Sequence, residues 1–268
     1  MTDLRRGLLL AGGRGTRLDP LTRVVTKQIL PVYNKPMIYY PLSTLIELGI
    51  REVLVISTPR DLKVLGELLG SGDEFGMVLR YAEQAHPLGI AEALIIGEQF
   101  LDGCPSALVL GDNLLVGTGL TAVDESDQTS THARFFGYYL DDPRDYGVLE
   151  FSSERVPIRI AEKPSAAPSN YAVPGLYLYP PDASYRARQL RPSGRGELEI
   201  TDLNNEYLAG RRAEVTILPS GTGWLDMGSF ESLYEASSYV RTLERRQGRP
   251  IGSPHVAAVE KGWIESAS

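Results

Sequence analysis

The chain has 268 residues, 43% hydrophobic and 23% charged, with 27 Lys and Arg against 34 Asp and Glu. This is ordinary globular usage, long enough for one large α/β unit or two small ones, and no run of 18 uninterrupted apolar residues is present, which excludes a membrane-spanning helix. One cysteine, Cys104, and three scattered histidines exclude disulfide and zinc frameworks, and the net charge of −7 argues against nonspecific nucleic-acid binding.

Met1 to Arg6 runs straight into a short apolar stretch and then glycines, without the pattern of a secretory signal, so the protein is expected in the cytoplasm. Residues 1 to 36 carry a balance of +5 and the remainder −12, the distribution expected of a site for a small, highly charged anion. Gly7 to Leu10 reads as a buried strand, Pro36 to Gly49 as an apolar helix and Glu52 to Ser57 as a second strand. The alternation continues with a helix at Pro59 to Leu69, a strand at Met77 to Tyr81, a helix at Ile90 to Leu101 and a strand at Ser106 to Leu110. Right-handed crossovers predict a largely parallel α/β sheet. Beyond Gly119 a polar stretch, Asp124 to Thr131, leads into strand-like segments Arg134 to Leu140, Gly147 to Phe151 and Ala172 to Tyr179, so this half is expected to be mixed. An amphipathic helix over Phe230 to Gln247 closes the main fold, and residues 249 to 268 read as a short tail.

The first strand runs into Ala11-Gly12-Gly13-Arg14-Gly15-Thr16-Arg17-Leu18, where glycines allow close main-chain approach to phosphate oxygens and two arginines add charge. Gly12, Gly13, Gly15 and Thr16 are the candidate nucleotide contacts of this loop, and Lys27 is a further cation. The loop fits neither the P-loop nor the dinucleotide fingerprint, and the second strand ends Ser57-Thr58-Pro59 without the acid that a bound NAD ribose requires. Asp112 follows the strand ending at Leu110, and Asp226 lies in Gly223-Trp224-Leu225-Asp226-Met227-Gly228. Two carboxylates suffice for one magnesium whose other positions take water and phosphate oxygens, although each taken alone is common turn chemistry.

These features occur together and in order, with Lys27-Gln28-Ile29-Leu30-Pro31-Val32-Tyr33, Lys35-Pro36-Met37-Ile38-Tyr39-Tyr40-Pro41-Leu42-Ser43 and Arg195-Gly196-Glu197-Leu198-Glu199-Ile200-Thr201-Asp202. From about Gly7 to Gly248 the chain resembles the glucose-1-phosphate thymidylyltransferases. The resemblance implies a three-layer α/β nucleotidyltransferase fold with a Rossmann-like, mostly parallel mixed sheet. It also implies a nucleotide-binding half of about residues 1–119, a sugar-binding half of about 120–248, and a homotetramer. The implied reaction joins dTTP and glucose 1-phosphate into dTDP-glucose and pyrophosphate with Mg2+, for deoxysugar synthesis; a related enzyme using UTP or another hexose 1-phosphate is the alternative. Arg17 and Lys27 would neutralise the triphosphate and Lys163 would hold the sugar phosphate, while Asp112 and Asp226 bind the metal. Gln84 would read thymine or uracil, donating to a carbonyl and accepting from the imide N–H, Gly89 would let the backbone approach the base, and Leu10 would contribute to the nucleoside pocket. A methyl group alone limits discrimination to roughly 10- to 200-fold, so UTP is an expected slow substrate. Tyr146, Gly147, Glu162, Val173 and Gly175 match the hexose contacts.

The chain departs from the family pattern at Asp19, Pro174 and Glu92, which stand for tyrosine, threonine and glutamine. It also has Val116, Thr118, Ser220 and Glu260 where the family has tyrosine, histidine and two arginines of a regulatory nucleotide site. Loss of that charge predicts weak or absent feedback inhibition.

Overall fold

The computed structural model describes residues 5–13, 15–117 and 131–266. Arg14, Thr118, the polar stretch from Asp124 and the expected boundary between halves at 119 lie outside the described residues. The nucleotide-side elements are β1 (Arg6–Leu10), β2 (Pro31–Val32), β3 (Lys35–Pro36), α1 (Tyr39–Glu47), β4 (Glu52–Ser57), α2 (Pro59–Leu69), β5 (Val78–Glu83), α3 (Glu92–Ile96), α4 (Glu98–Leu101) and β6 (Ser106–Leu110). There follow β7 (Asn113–Val116), β8 (Ala133–Tyr139), β9 (Gly147–Phe151), β10 (Pro157–Glu162), β11 (Tyr171–Ala172), β12 (Leu176–Tyr179), α5 (Ala183–Ala187), α6 (Ile200–Ala209), β13 (Ala213–Ile217), β14 (Gly223–Asp226), α7 (Phe230–Gln247) and α8 (Pro254–Glu260).

The main sheet runs β10-β9-β11-β8-β12-β6-β1-β4-β5, with β13 paired to β8. Strands β6, β1, β4 and β5 are mutually parallel, so the loops after β1, β4, β5 and β6 emerge on one edge. Past β6 the sheet is antiparallel apart from the parallel β13·β8 pair. Successive residues of a strand face opposite sides, and β1 shows what this builds. Leu9 and Ala11 join one core with Leu42 and Leu45 of α1, Leu65 of α2 and Ala258 of α8. Leu8 and Leu10 join a second with Ala93 and Leu94 of α3, Ala187 of α5 and Leu203 of α6. The result is the expected three-layer mixed α/β arrangement. Among the described residues no helix is long and apolar enough to cross a membrane.

The expected helix at Pro36 to Gly49 starts late, at Tyr39, because Met37 and Ile38 donate their N–H groups to Leu30 and Gln28 carbonyls. The expected helix at Ile90 to Leu101 divides at Gly97, where a Cβ would lie 2.7 Å from Leu8 Cδ2. Ala172 to Tyr179 is broken at Pro174, which has no N–H, and at Gly175, whose N–H donates to Asn113 Oδ1. The stretch after Gly248 contains α8, which packs on α1.

Candidate active site

At the carboxyl edge the chain leaves β1 through Gly12 and Gly13 and turns at Gly15, whose φ of 60° is left-handed. Glycine is needed there: a Cβ would sit 2.9 Å from Thr22 Cγ2, and Thr22 Oγ1 donates to the Gly15 carbonyl at 2.8 Å. Thr16 then opens a short 3-10 turn, Thr16–Leu18, that buries Leu18 and leaves Arg17 reaching outward. Buried Gln28, whose amide oxygen accepts from Thr26 Oγ1, stands beneath this loop.

Asp112 sits just past β6. Its Oδ2 accepts from Lys27 Nζ and its Oδ1 from Asn113 Nδ2 at 3.1 Å. Burial pushes this carboxyl upward, but the Lys27 ammonium outweighs it and the net shift is below the ordinary value. Antiparallel pairing of β14 with β7 sets Asp226 opposite Asn113, and the Met227 N–H donates to the Asp112 carbonyl at 2.9 Å. Asp226 has the opposite environment. Burial, and then the charge of Asp112, push its carboxyl up to about 6, and its nearest cation is Arg17 Nη2, 3.9 Å from Oδ2. Gly228 leaves room for that guanidinium, since a Cβ would lie 2.5 Å from Arg17 Nη2.

Asp112, Asp226 and Arg17 line one cavity of about 340 Å³. Tyr146, Gly147, Glu162, Lys163, Val173 and Gly175 line the same cavity. Lys163 is exposed and its backbone has φ 41°, a region that side chains rarely adopt; its N–H donates to the Tyr146 carbonyl at 3.0 Å. Glu162 Oε2 accepts from Thr201 Oγ1 at 2.6 Å. The Tyr146 ring meets Trp224 edge-on, 4.8 Å between centroids, and burial with the nearby Asp226 charge pushes its hydroxyl up to about 12. Ser229 and Ser232, which form the reciprocal cap of α7, also line the cavity, so the amino end of this long helix opens toward it.

Leu10, Gly12, Gly13, Gly15, Thr16, Lys27, Gln84 and Gly89 lie outside the lining of that cavity. Leu10, the last residue of β1, and Gln84, just after β5, share the carboxyl edge with the glycine loop, and Gln84 Oε1 faces Gly12, where a Cβ would come within 2.8 Å. Both candidate base-contacting residues also have partners within the protein. The Gln84 amide nitrogen donates to Glu92 Oε2 at 2.7 Å and to the Gly89 carbonyl at 3.3 Å, so its donor half is spent within the protein. Gly89, with φ 109°, is required by packing: a Cβ would lie 2.3 Å from the Leu198 carbonyl oxygen.

Asn113 escaped sequence reasoning because Gly-Asp-Asn reads as a turn. It is 3% exposed, and its Oδ1 accepts from the Trp224 indole at 2.7 Å and from the Gly175 N–H at 3.0 Å, tying the β7·β14 ribbon to the β12 entry. Arg195, Glu197, Glu199 and Thr201 also line the cavity, and the near-literal stretch that contains them was the available signal.

A glycine loop at a parallel sheet edge, beside a cavity lined by Asp112, Asp226, Arg17 and Lys163, is an arrangement suited to nucleotidyl transfer. A family model described as nucleotidyl transferase matches residues 6–242. A glucose-1-phosphate thymidylyltransferase of Xanthomonas campestris pv. campestris is 49% identical over 263 residues, covering 98% of this chain and 89% of that one. The Mycobacterium tuberculosis enzyme of the same name is 47% identical over 260 residues, covering 97% and 90%. Among solved structures, a Bacillus anthracis protein assigned as a glucose-1-phosphate thymidylyltransferase and crystallised with sucrose superposes with a TM-score of 0.82 at 36% identity, covering 88% of this chain and 95% of that one. A UDP-glucose pyrophosphorylase bound to UDP-glucose shares the fold, with a TM-score of 0.78 at 24% identity over 91% and 99% of the two chains. The chain belongs to the nucleotidyl transferase family, among its glucose-1-phosphate thymidylyltransferases.

Proposed function

We propose that the protein transfers the thymidylyl group of dTTP to glucose 1-phosphate, giving dTDP-glucose and pyrophosphate for deoxysugar synthesis. The observation that carries this reading is the shared cavity, where the candidate sugar residues surround Lys163 beside Asp112, Asp226 and Arg17. A phosphate oxygen of the sugar phosphate forms a new bond to the α-phosphorus, and the bond from that phosphorus to the bridging oxygen breaks, its electron pair leaving with pyrophosphate. The nucleophile is anionic near neutral pH, so no general base is required. The work lies in aligning two mutually repelling anions and stabilising charge at phosphorus. Lys163 holds the sugar phosphate, while Arg17 and Lys27 take the triphosphate; Lys27 exchanges part of its contact with Asp112 for phosphate oxygens. Glu162 and the backbone around Gly147 and Gly175 accept from sugar hydroxyls.

Asp112 and Asp226 fit a magnesium ion. They are two buried carboxylates whose mutual repulsion a divalent cation relieves, and magnesium fills its remaining positions with water and phosphate. When bound, it supplies charge that neutralises the phosphate oxygens. The glycine loop and Gln84 support a nucleotide-binding half of about residues 1–119, and the Tyr146 to Gly175 lining a sugar-binding half of about 120–248. A homotetramer would cover apolar surface such as Phe230 and Tyr234 on α7, which are 47% and 72% exposed. Sugar phosphate and nucleotide substrates support the cytoplasm as its place of work.

Pyrophosphate release over a panel of triphosphates and hexose 1-phosphates is the test. Fastest turnover is expected with dTTP and glucose 1-phosphate, and none after chelation of Mg2+. Turnover fastest with UTP or another sugar phosphate would transfer the assignment to the related enzymes.

A further inference from the structure

Asn204 stands on α6 with half of its amide committed and half open. It is 1% exposed, and its Oδ1 accepts from the hydroxyl of Tyr179 at the end of β12. Tyr179 is itself buried, its ring edge-on to Phe135 with centroids 6.1 Å apart, and Asn204 is the one hydrogen-bond partner of its hydroxyl among the described residues. Turning the amide over would leave the phenol proton without an acceptor, so the oxygen faces Tyr179 and the nitrogen faces away. No described residue accepts from that nitrogen. It is not sealed inside the protein either: the enclosed side-chain atoms without a partner are Ser106 Oγ and Thr222 Oγ1, and Asn204 lines the cavity that holds Glu162 and Lys163. Its neighbour Asn205 uses both ends of its amide, donating to the Ile160 carbonyl at 2.9 Å and accepting from the Ile160 N–H at 2.7 Å, which fastens α6 to β10. One asparagine thus builds the wall, and the next leaves a donor in it.

We propose, resting on the reaction proposed above, that Asn204 determines sugar specificity by donating to one hexose hydroxyl, and that Tyr179 is the positioning residue that keeps this donor turned into the cavity. Thr201 lies one turn earlier on the same face of α6 and also lines the cavity; its hydroxyl donates to Glu162 Oε2, while Glu162 Oε1 has no partner among the described residues. A sugar hydroxyl between Asn204 and Glu162 accepts from the first and donates to the second, so both of its hydrogen-bonding capacities are used. A sugar without that hydroxyl leaves a buried donor and a carboxylate oxygen unpaired, which is where the discrimination arises.

The test measures kcat/KM for glucose 1-phosphate and for its monodeoxy analogues, with dTTP and Mg2+, on the full chain and on N204A and Y179F. The penalty for each analogue is its ratio to glucose 1-phosphate within one protein, so a change in the folded fraction cancels. In wild type the analogue lacking the hydroxyl that Asn204 reads is expected to lose roughly 10- to 100-fold. In N204A that penalty is expected to shrink by roughly fivefold or more while the penalties for the other hydroxyls hold. Y179F keeps the ring and frees the amide to turn, and is expected to shrink the same penalty by a smaller factor. A merely structural asparagine would lower kcat/KM for every sugar alike and leave the penalties as they were. Unchanged penalties in N204A, or a wild type that penalises no analogue, would overturn the role of Asn204, and a Y179F indistinguishable from wild type would overturn that of Tyr179. Failure of wild type to make nucleotide-sugar would instead overturn the proposed reaction, while calorimetric binding of the same sugar phosphates would still report on Asn204.

Discussion

The turn after β6 and the end of β14 each present one aspartate to the same cavity, yet their surroundings shift the two carboxyls in opposite directions. Asp112 is clamped by Lys27 and held below the ordinary carboxylate range, whereas Asp226, half-buried beside that negative charge, has no clamp: the charges of Lys27, Arg17 and Lys163 act on it without outweighing burial and repulsion. One carboxylate is thus satisfied by the fold, and the other keeps a repulsion that the proposed magnesium ion would relieve. A site arranged in this way holds part of its binding energy in reserve until a cation arrives, which is how a stability cost becomes function.

The comparison breaks if the two aspartates respond alike to neutralisation. Asp112→Asn leaves the Lys27 ammonium, whose side chain is 13% exposed, without its counter-charge. The expected loss is about 3 to 5 kcal/mol of stability in urea unfolding, with activity down at least roughly a hundredfold. Asp226→Asn is expected to lose activity to a similar degree but to stabilise the metal-free protein, because the repelled charge is gone. A carboxyl raised to about 6 corresponds to roughly 3 kcal/mol, which is several degrees in Tm. Calorimetry in a chelator reads both variants, and a fall in Tm for Asp226→Asn would show that its charge is compensated.

The same asymmetry gives a pH dependence with a definite sign. Asp226 binds its proton more tightly folded than unfolded, so its contribution to stability is fully present below the ordinary carboxylate range and is lost as pH rises through about 6. Mg2+ competes with that proton. The affinity for Mg2+ should therefore fall about tenfold per pH unit below 6 and level off above it. Titration at several pH values checks this, and a flat profile between pH 5 and 7 would remove the raised carboxyl from the account.

How much of this was legible in the sequence depended on whether the deciding contacts were local. Helices α2 and α7 match their expected bounds because Thr58 and Ser229 cap their starts and Gly70 and Gly248 stand at their ends, all within a turn of the helix. The β7·β14 ribbon carried no such signal. It joins two four-residue strands more than a hundred residues apart, and Asn113 at its base looks like a turn residue until its partners are known. The late start of α1 escaped because the Met37 and Ile38 N–H groups, which the apolar pattern assigned to the helix, donate to the Leu30 and Gln28 carbonyls instead. In the site, residue types indicated which groups could meet phosphate, sugar and metal. They could not show that Lys27 is paired with Asp112, or that the Gln84 amide nitrogen is already engaged.

The ribbon that sets Asp226 also leads to the positions that the resemblance associates with regulation, and here the expected effect is the smallest. Val116 stands at the far end of β7, paired with Gly223, so an effector held there would pull directly on the strand that ends in Asp226. Among the described residues, the positions Val116, Ser220 and Glu260 themselves carry no cation to hold one. Ser220 is an exposed, uncharged residue, and Glu260 is paired with Arg249 at 2.5 Å, which occupies the one nearby guanidinium it meets. A nucleotide-sugar would bring two phosphates to this surface and find a carboxylate where the family has an arginine. Pyrophosphate release should therefore stay unchanged when dTDP-sugar end products are added at low concentration, apart from competition at the active site. Inhibition at micromolar end product that is noncompetitive with glucose 1-phosphate would mean that other residues of the ribbon's far end supply the missing charge, and that the two carboxylates are coupled to a second ligand after all.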